Sequence, residues 1–340
     1  MSRFRRSLRA TIMSLCLLPG LPSTRAQQGP QDIPPAPQPE RERVKPEELS
    51  SKRPANGKGA EGETIVRLSS EVVTLNVTVT DKHHNFVTGL KPQHFEVYED
   101  NVMQKIEFFS SIDEPVSIGI IFDVSQSMQD KLDRARAALK AFIETSHIGD
   151  DFFIVVFNQR PDLIGESVDG DTALRLLSAV DADGTTALYD AAYLGVEEVK
   201  QGRHKKRALL IISDGQDNRS HYTSEELLRQ LKESDIQVYC IGIMESFGMY
   251  AESNDERGSM ILKKLAKTTG GKAFFPRLNR ELDDAVACIA LELRRQYSIG
   301  YVPSNFRRDG KWRKIKLRIK PPHELPRLIV RTKEGYYAGQ

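Results

Sequence analysis

The chain has 340 residues, 39% of them hydrophobic and 28% charged, and a formal net charge of +2. That length allows one large and one small apolar core. Only three cysteines are present, which excludes a disulfide framework as the main source of stability.

Residues 1–26 read as an export signal. Arg3, Arg5, Arg6 and Arg9 form a positive start, Thr11 to Leu21 is a short apolar stretch, and Thr24-Arg25-Ala26 offers small residues at the two positions a signal peptidase reads. The apolar stretch is too short to span a bilayer. Cys16 lacks the small residues expected before a lipidated cysteine. Removing this segment takes away five arginines and no acids, so the formal charge of +2 becomes −3. Overall basicity of the kind that marks nucleic-acid binding does not survive, and the expected location is the periplasm or the cell exterior.

Residues 27–62 hold seven prolines and no aromatic residue. Such a stretch cannot bury enough apolar surface to offset its conformational entropy, so residues 27–63 are expected to be a spacer. Gly57-Lys58-Gly59-Ala60-Glu61-Gly62 matches the dinucleotide fingerprint in letters only, because no strand precedes it and no helix follows it.

Residues 64–113 predict β-strands. Val73, Leu75, Val77 and Val79 alternate with polar residues, Asp81 to Asn85 is a turn cluster, and shorter strands follow at Phe95–Tyr98 and Lys105–Phe109. His83 and His84 fall in the turn and are expected to be exposed. Residues 114–296 change character. Val116–Phe122, Phe152–Phe157, Ala208–Ile212 and Val238–Ile243 are apolar without alternation, as strands buried on both faces of a parallel sheet are. Helical patterns lie between them, among them Met128-Leu132-Ala135-Leu139-Phe142-Ile143 and Leu278-Leu282-Ala285-Val286-Ile289-Leu293. The expectation is an α/β domain with a doubly wound, mainly parallel sheet. Residues 297–340 return to strands, at Tyr297–Val302, Trp312–Lys320 and Leu328–Arg331. With the earlier strands they are expected to form a small flanking β-sandwich. Cys240 and Cys288, on a strand and a helix, are expected to be free buried thiols.

The first buried strand ends Phe122-Asp123-Val124-Ser125-Gln126-Ser127. A strand-end carboxylate followed by two hydroxyls at alternate positions aims three oxygens at one spot. A competing reading of Ser127-Met128-Gln129-Asp130 is an ordinary capping box. The strand Ala208–Ile212 also leads into a carboxylate, Asp214, which would otherwise be a solvated turn residue. In open parallel sheets ligands bind beyond the carboxyl ends of the strands, where strand order reverses. Asp183-Gly184-Thr185-Thr186 precedes the helix Ala187–Val199 and adds a further hydroxyl, or else a cap.

These residues resemble the metal-ion-dependent adhesion site of von Willebrand factor A domains and integrin inserted domains. The matching positions are Asp123, Ser125, Ser127, Thr186 and Asp214, with alignment through Leu188, Asp190 and Ala191 favouring Thr186 over Thr185. The resemblance covers about residues 114–296, and the flanks look like those of exported von Willebrand A-related proteins common in Acidobacteria. It implies a Mg²⁺ or Mn²⁺ ion held by oxygen ligands, with an open position filled by an acidic residue of a protein partner. No imidazole or thiolate near the motif argues for zinc.

Two functions follow. One is a metal-dependent protein-binding module, for adhesion or envelope assembly. The other is a hydrolase using the same metal for phosphoryl or ester chemistry. The second lacks support in the residues. A dehalogenase-type phosphatase would need an Asp where Ser125 stands. No Gly-x-Ser-x-Gly elbow, Walker loop or metalloprotease helix occurs. His147, His204 and His221 fall in polar, solvated-looking surroundings, and no general base is evident. Residues 305–335 hold eleven Lys and Arg against three acids. The strand Lys314–Lys320 could therefore meet an anionic membrane or envelope surface, although lysines on the wet side of an edge strand read the same way.

Overall fold

The computed structural model describes residues 72–244, 253–320 and 327–339. The export signal and the spacer expected over residues 1–63 lie outside them. The chain opens with β1 (Val73–Thr80), β2 (Phe95–Glu99), β3 (Val102–Gln104) and β4 (Ile106–Ser110). Asp81 accepts from the backbone N–H of His83 and Asn85, which closes the expected turn and leaves both histidines exposed. Between β2 and β3, Asp100 and Asn101 take positive φ values of 48° and 68°, as a two-residue hairpin requires.

The middle of the chain runs β5 (Val116–Asp123), α1 (Leu132–Thr145), β6 (Asp151–Phe157), β7 (Pro161–Val168), α2 (Gly170–Ser178), α3 (Leu188–Lys200), β8 (Lys206–Ser213), α4 (Ser224–Glu233), β9 (Gln237–Gly242), α5 (Ser253–Thr268), β10 (Ala273–Phe274) and α6 (Asn279–Arg294). Its sheet has the order β10-β9-β8-β5-β6-β7, parallel throughout except for β7, which runs antiparallel to β6. Every residue of β5, β6 and β9 is buried, which is why these strands show no polar alternation. Residues from α1, α2 and α6 pack on one face, and residues from α3, α4 and α5 on the other. Burial of each Val, Leu, Ile or Phe contributes about 1.5–3 kcal/mol, so two such faces can hold the domain without covalent staples. Cys240 points into the face under α3–α5, whereas α6, which carries Cys288, covers the opposite face. Both thiols are free, and burial pushes that of Cys240 up.

The chain closes with β11 (Tyr297–Tyr301), β12 (Trp312–Ile319), β13 (Ile329–Arg331) and β14 (Gly335–Tyr337). These join the early strands as expected, in two antiparallel sheets of order β13-β1-β11-β4 and β14-β12-β2-β3. Leu75, Val77, Phe95, Val97, Tyr297, Ile299, Ile315 and Leu317 fill the space between them. On β12, Ile315 and Leu317 are buried while Lys314, Lys316 and Arg318 are exposed. β12 pairs with β2 over Ile315–Ile319 but with β14 only over Trp312–Lys314. Among the described residues, the part of β12 carrying Lys316 and Arg318 therefore has a paired strand on one side only, as the edge-strand explanation of this basic face expects. Its charges are partly answered from β2: Lys320 pairs with Glu96, and the Arg318 guanidinium lies 5.0 Å from the centre of the Tyr98 ring.

The β-sandwich and the α/β part are tied by a buried polar network. Glu292 of α6 accepts from Thr78 Oγ1 at 2.8 Å, Tyr239 OH at 3.0 Å and Arg331 Nη2 at 2.5 Å. Gln296 Nε2 donates to Gln237 Oε1 at 2.7 Å and to Tyr239 OH at 3.0 Å. One carboxylate thus joins α6, β9, β1 and β13. No helix among the described residues is long and apolar enough to cross a membrane.

Candidate functional site

Strand order reverses beside β5, which pairs with β6 on one side and β8 on the other. The carboxyl ends of β5 and β8 therefore lie side by side, where such sheets place their ligand crevice, and each leads into an aspartate. Asp123 and Asp214 are both fully buried, so Asp214 is not a solvated turn residue.

Ser125 follows Asp123 by two residues and donates to its Oδ1 twice, from the backbone N at 2.9 Å and from Oγ at 2.6 Å. Ser127 Oγ lies 3.2 Å from Ser125 Oγ. The expected capping box at Ser127 does not form. A 3-10 turn over Gln126–Lys131 precedes α1, and Ser125 stands at its N-cap position without a side-chain capping bond. The Ser125 hydroxyl is thereby turned to the carboxylate, and that of Ser127 to Ser125, rather than spent on a helix end. Ser213, the last residue of β8, donates from Oγ to Asp123 Oδ2 at 2.5 Å and accepts from Gly215 N at 2.9 Å.

Thr186 lies on a loop stitched to both strand ends. Asp183 N donates to Val124 O at 2.9 Å, and Gln126 N donates to Gly184 O at 3.0 Å. From the β8 side, Asn218 Oδ1 accepts from Thr186 N at 3.0 Å. Thr186 is buried and Thr185 exposed, and α3 starts with Ala187 at its N-cap position and no side-chain cap. Asp217 fixes the same loop to α3, accepting from Tyr189 N at 3.0 Å and from Ser220 Oγ at 2.6 Å.

On the far side, Asp214 Oδ1 accepts from Gln216 N at 3.1 Å, and Lys131 Nζ lies 3.4 Å from Asp214 Oδ2. Gly215 has φ of +80°, and α5 comes so close that a Cβ there would sit 2.5 Å from Gly258 O. Only glycine meets both conditions at this turn. Burial, and then the neighbouring charge of Asp214, push the Asp123 carboxyl up from 3.8 to about 7, against the hydrogen bonds from Ser125 and Ser213 that favour its ionised form. Two carboxyl groups thus share one buried place, with the Lys131 ammonium beside Asp214.

Among the described residues no group of three or more His, Cys, Asp or Glu side chains is placed to hold a metal. The five residues expected from the sequence differ from such a cluster in composition, being two carboxylic acids and three alcohols; an oxygen-only set of that kind would suit a hard cation. The histidines stand elsewhere. His204 is not solvated as expected, because its ring is 23% exposed, lies 3.4 Å from Asp151 and contacts Gly149 O at 2.8 Å. His147 Nδ1 accepts from Gly149 N, and His221 pairs with Asp190 at 2.9 Å on the surface. A cleft of about 660 Å³, lined in part by Lys205, Lys206 and Arg207, lies by the amino end of β8, the opposite end of the sheet from Asp123.

The family model for the von Willebrand factor type A domain matches residues 117–287. The chain belongs to the von Willebrand factor type A family. The matched stretch begins within β5, ends within α6 and contains Asp123, Ser125, Ser127, Thr186 and Asp214. No curated protein matches the chain. Among solved structures it is similar to a von Willebrand factor type A protein from Catenulispora acidiphila, at 15% identity over 80% of this chain and 74% of that one, with a TM-score of 0.45. An aerotolerance-related membrane protein from Bacteroides fragilis is 20% identical over 52% of this chain and 98% of its own, with a TM-score of 0.42. Proximal thread matrix protein 1 from the mussel byssus, in a structure with a zinc-occupied adhesion-site (MIDAS) motif, is 17% identical over 57% of this chain and 49% of its own, with a TM-score of 0.44.

Two side chains of this von Willebrand A crevice were not singled out from sequence. Ser213 carried a legible signal, a hydroxyl at the end of a buried strand beside the one that ends in Asp123. Lys131 carried none, since its partner lies 83 residues away.

Proposed function

We propose that this chain is an exported, metal-dependent protein-binding module serving adhesion or envelope assembly. In this reading Asp123, Ser125, Ser127, Thr186 and Asp214 hold Mg²⁺ or Mn²⁺, and an acidic residue of the partner completes the ion. The observation that carries it is the pair of fully buried aspartates at the ends of adjacent parallel strands, the first of them accepting from the hydroxyls of Ser125 and Ser213. Buried like charges are costly unless a cation answers them. Five oxygen donors fall one short of the six an octahedral Mg²⁺ takes, which leaves a position that an outside carboxylate can fill as a further ligand. An enzyme would need a base or nucleophile beside these ligands, and His147, His204 and His221 are each engaged elsewhere. The basic face of β12 is a second surface that could meet an anionic membrane or envelope.

Capture of partners from an envelope extract tests this reading. With Mg²⁺ or Mn²⁺, a specific partner should bind, elute in chelator, and be lost by Asp214→Ala in a chain that still folds. Ca²⁺, larger and less insistent on an octahedron, should support capture to a different extent. Capture that persists in excess chelator, or after every acidic residue at the partner's interface is removed, would contradict it.

A further inference from the structure

We propose that Lys131 is the counter-ion the crevice carries before a metal arrives, and that it sets how tightly the crevice takes a divalent cation. This rests on the metal-site reading above. Lys131 closes the 3-10 turn Gln126–Lys131, which begins directly after Ser125 and contains Ser127. One short segment thus supplies two hydroxyls and an ammonium to the same place. The ammonium lies 3.4 Å from Asp214 Oδ2, with the lysine side chain 9% exposed and the aspartate fully buried.

Lysine is among the residues least often buried this deeply without a charge partner. Here one partner is Asp214, among the five expected metal ligands. A divalent cation lodged between Asp123 and Asp214 would bring two positive charges within a few ångströms of a third. In a crevice screened from water that repulsion is felt at many times its strength in bulk solvent. Metal uptake is then an exchange, in which the ammonium must swing away from Asp214 as the cation enters. A lysine suits this, being a compact charge on a flexible four-carbon stem, whereas the planar fork of an arginine would hold the carboxylate more rigidly. The consequence is a site in which Asp214 already has a cation beside it before metal arrives, and which takes metal with restrained affinity.

The test is Mn²⁺ calorimetry on the chain and its Lys131→Met and Lys131→Arg variants, with Asp123→Ala as a control and thermal unfolding measured in chelator and in Mn²⁺. Lys131→Met should bind Mn²⁺ at least tenfold more tightly than the parent. It should also unfold at lower temperature in chelator and regain more on adding Mn²⁺ than the parent does. Lys131→Arg should bind no more tightly than the parent. Unchanged or weaker Mn²⁺ binding in a folded Lys131→Met chain would overturn the proposal and leave the metal site standing, as would tighter binding in Lys131→Arg. If neither parent nor Lys131→Met takes Mn²⁺, the metal-site reading fails and this proposal falls with it.

Discussion

Replacing Glu292 by Ala should destabilise the chain by about 3–5 kcal/mol, the range expected when one member of a buried charged pair is removed. Glu292 is 1% exposed and accepts from three groups on three different strands. Without it, the Arg331 guanidinium loses its carboxylate at the junction, and the hydroxyls of Thr78 and Tyr239 lose an acceptor away from water. Burial and the Glu292 charge hold the Tyr239 hydroxyl well above its usual range, so that tyrosine stays a donor at all working pH values. Against a typical stability of about 5–15 kcal/mol the loss is large. Urea unfolding should show it, and Glu292→Gln, which keeps one acceptor and the shape, should lose less. A loss below about 1 kcal/mol for Glu292→Ala would mean that the Glu292 hydrogen bonds contribute little to holding the sandwich to the α/β part.

Asp123→Asn should stabilise the metal-free chain at neutral pH, by on the order of 4 kcal/mol. The folded chain holds the Asp123 proton up to about pH 7, whereas the unfolded chain releases it near 3.8. Between those values the folded state binds the extra proton. Stability therefore falls as pH rises, by about 1.4 kcal/mol per pH unit, and levels off above 7. The Asn variant has no such proton. Unfolding in chelator at pH 5, 6, 7 and 8 should show a gap between variant and parent that widens up to 7 and then stays constant. Parallel curves would show that Asp123 ionises in the fold without cost. The same proton opposes a cation, so affinity for Mg²⁺ should weaken below pH 7.

The parts of this fold that were legible in the sequence are those where burial imposes a period. Ile315 and Leu317 alternate with Lys314, Lys316 and Arg318 because only one face of β12 meets a core. Phe152 to Phe157 do not alternate because helices cover both faces of β6. Asp123 and Asp214 were legible for a related reason, as the first charged residues after such runs. By contrast, β7 was missed: Pro161 and Gly165 interrupt a strand that pairs only with β6 and is half exposed. The three-residue strands β3 and β14 are too short to show a period at all.

Within the crevice, residue type was legible and hydrogen-bond choice was not. Ser127 fits a capping box by its spacing to Asp130, yet the chain forms a 3-10 turn there and places Ser127 Oγ beside Ser125 Oγ. That choice depends on Asp123, Ser213 and the Thr186 loop arriving together from three separate parts of the chain. His204 was misread for a similar reason, since Asp151 and Gly149, which engage its ring, lie more than fifty residues upstream.

The most direct test of the central claim is a calorimetric titration of the chain with Mg²⁺ and with Mn²⁺, repeated on Asp123→Ala. A single site is expected in the parent, in the micromolar to millimolar range typical of partly open oxygen sites. Asp123→Ala should abolish it while the chain keeps its fold. A titration that is the same in both chains would place any bound metal elsewhere and contradict the assignment of Asp123, Ser125, Ser127, Thr186 and Asp214.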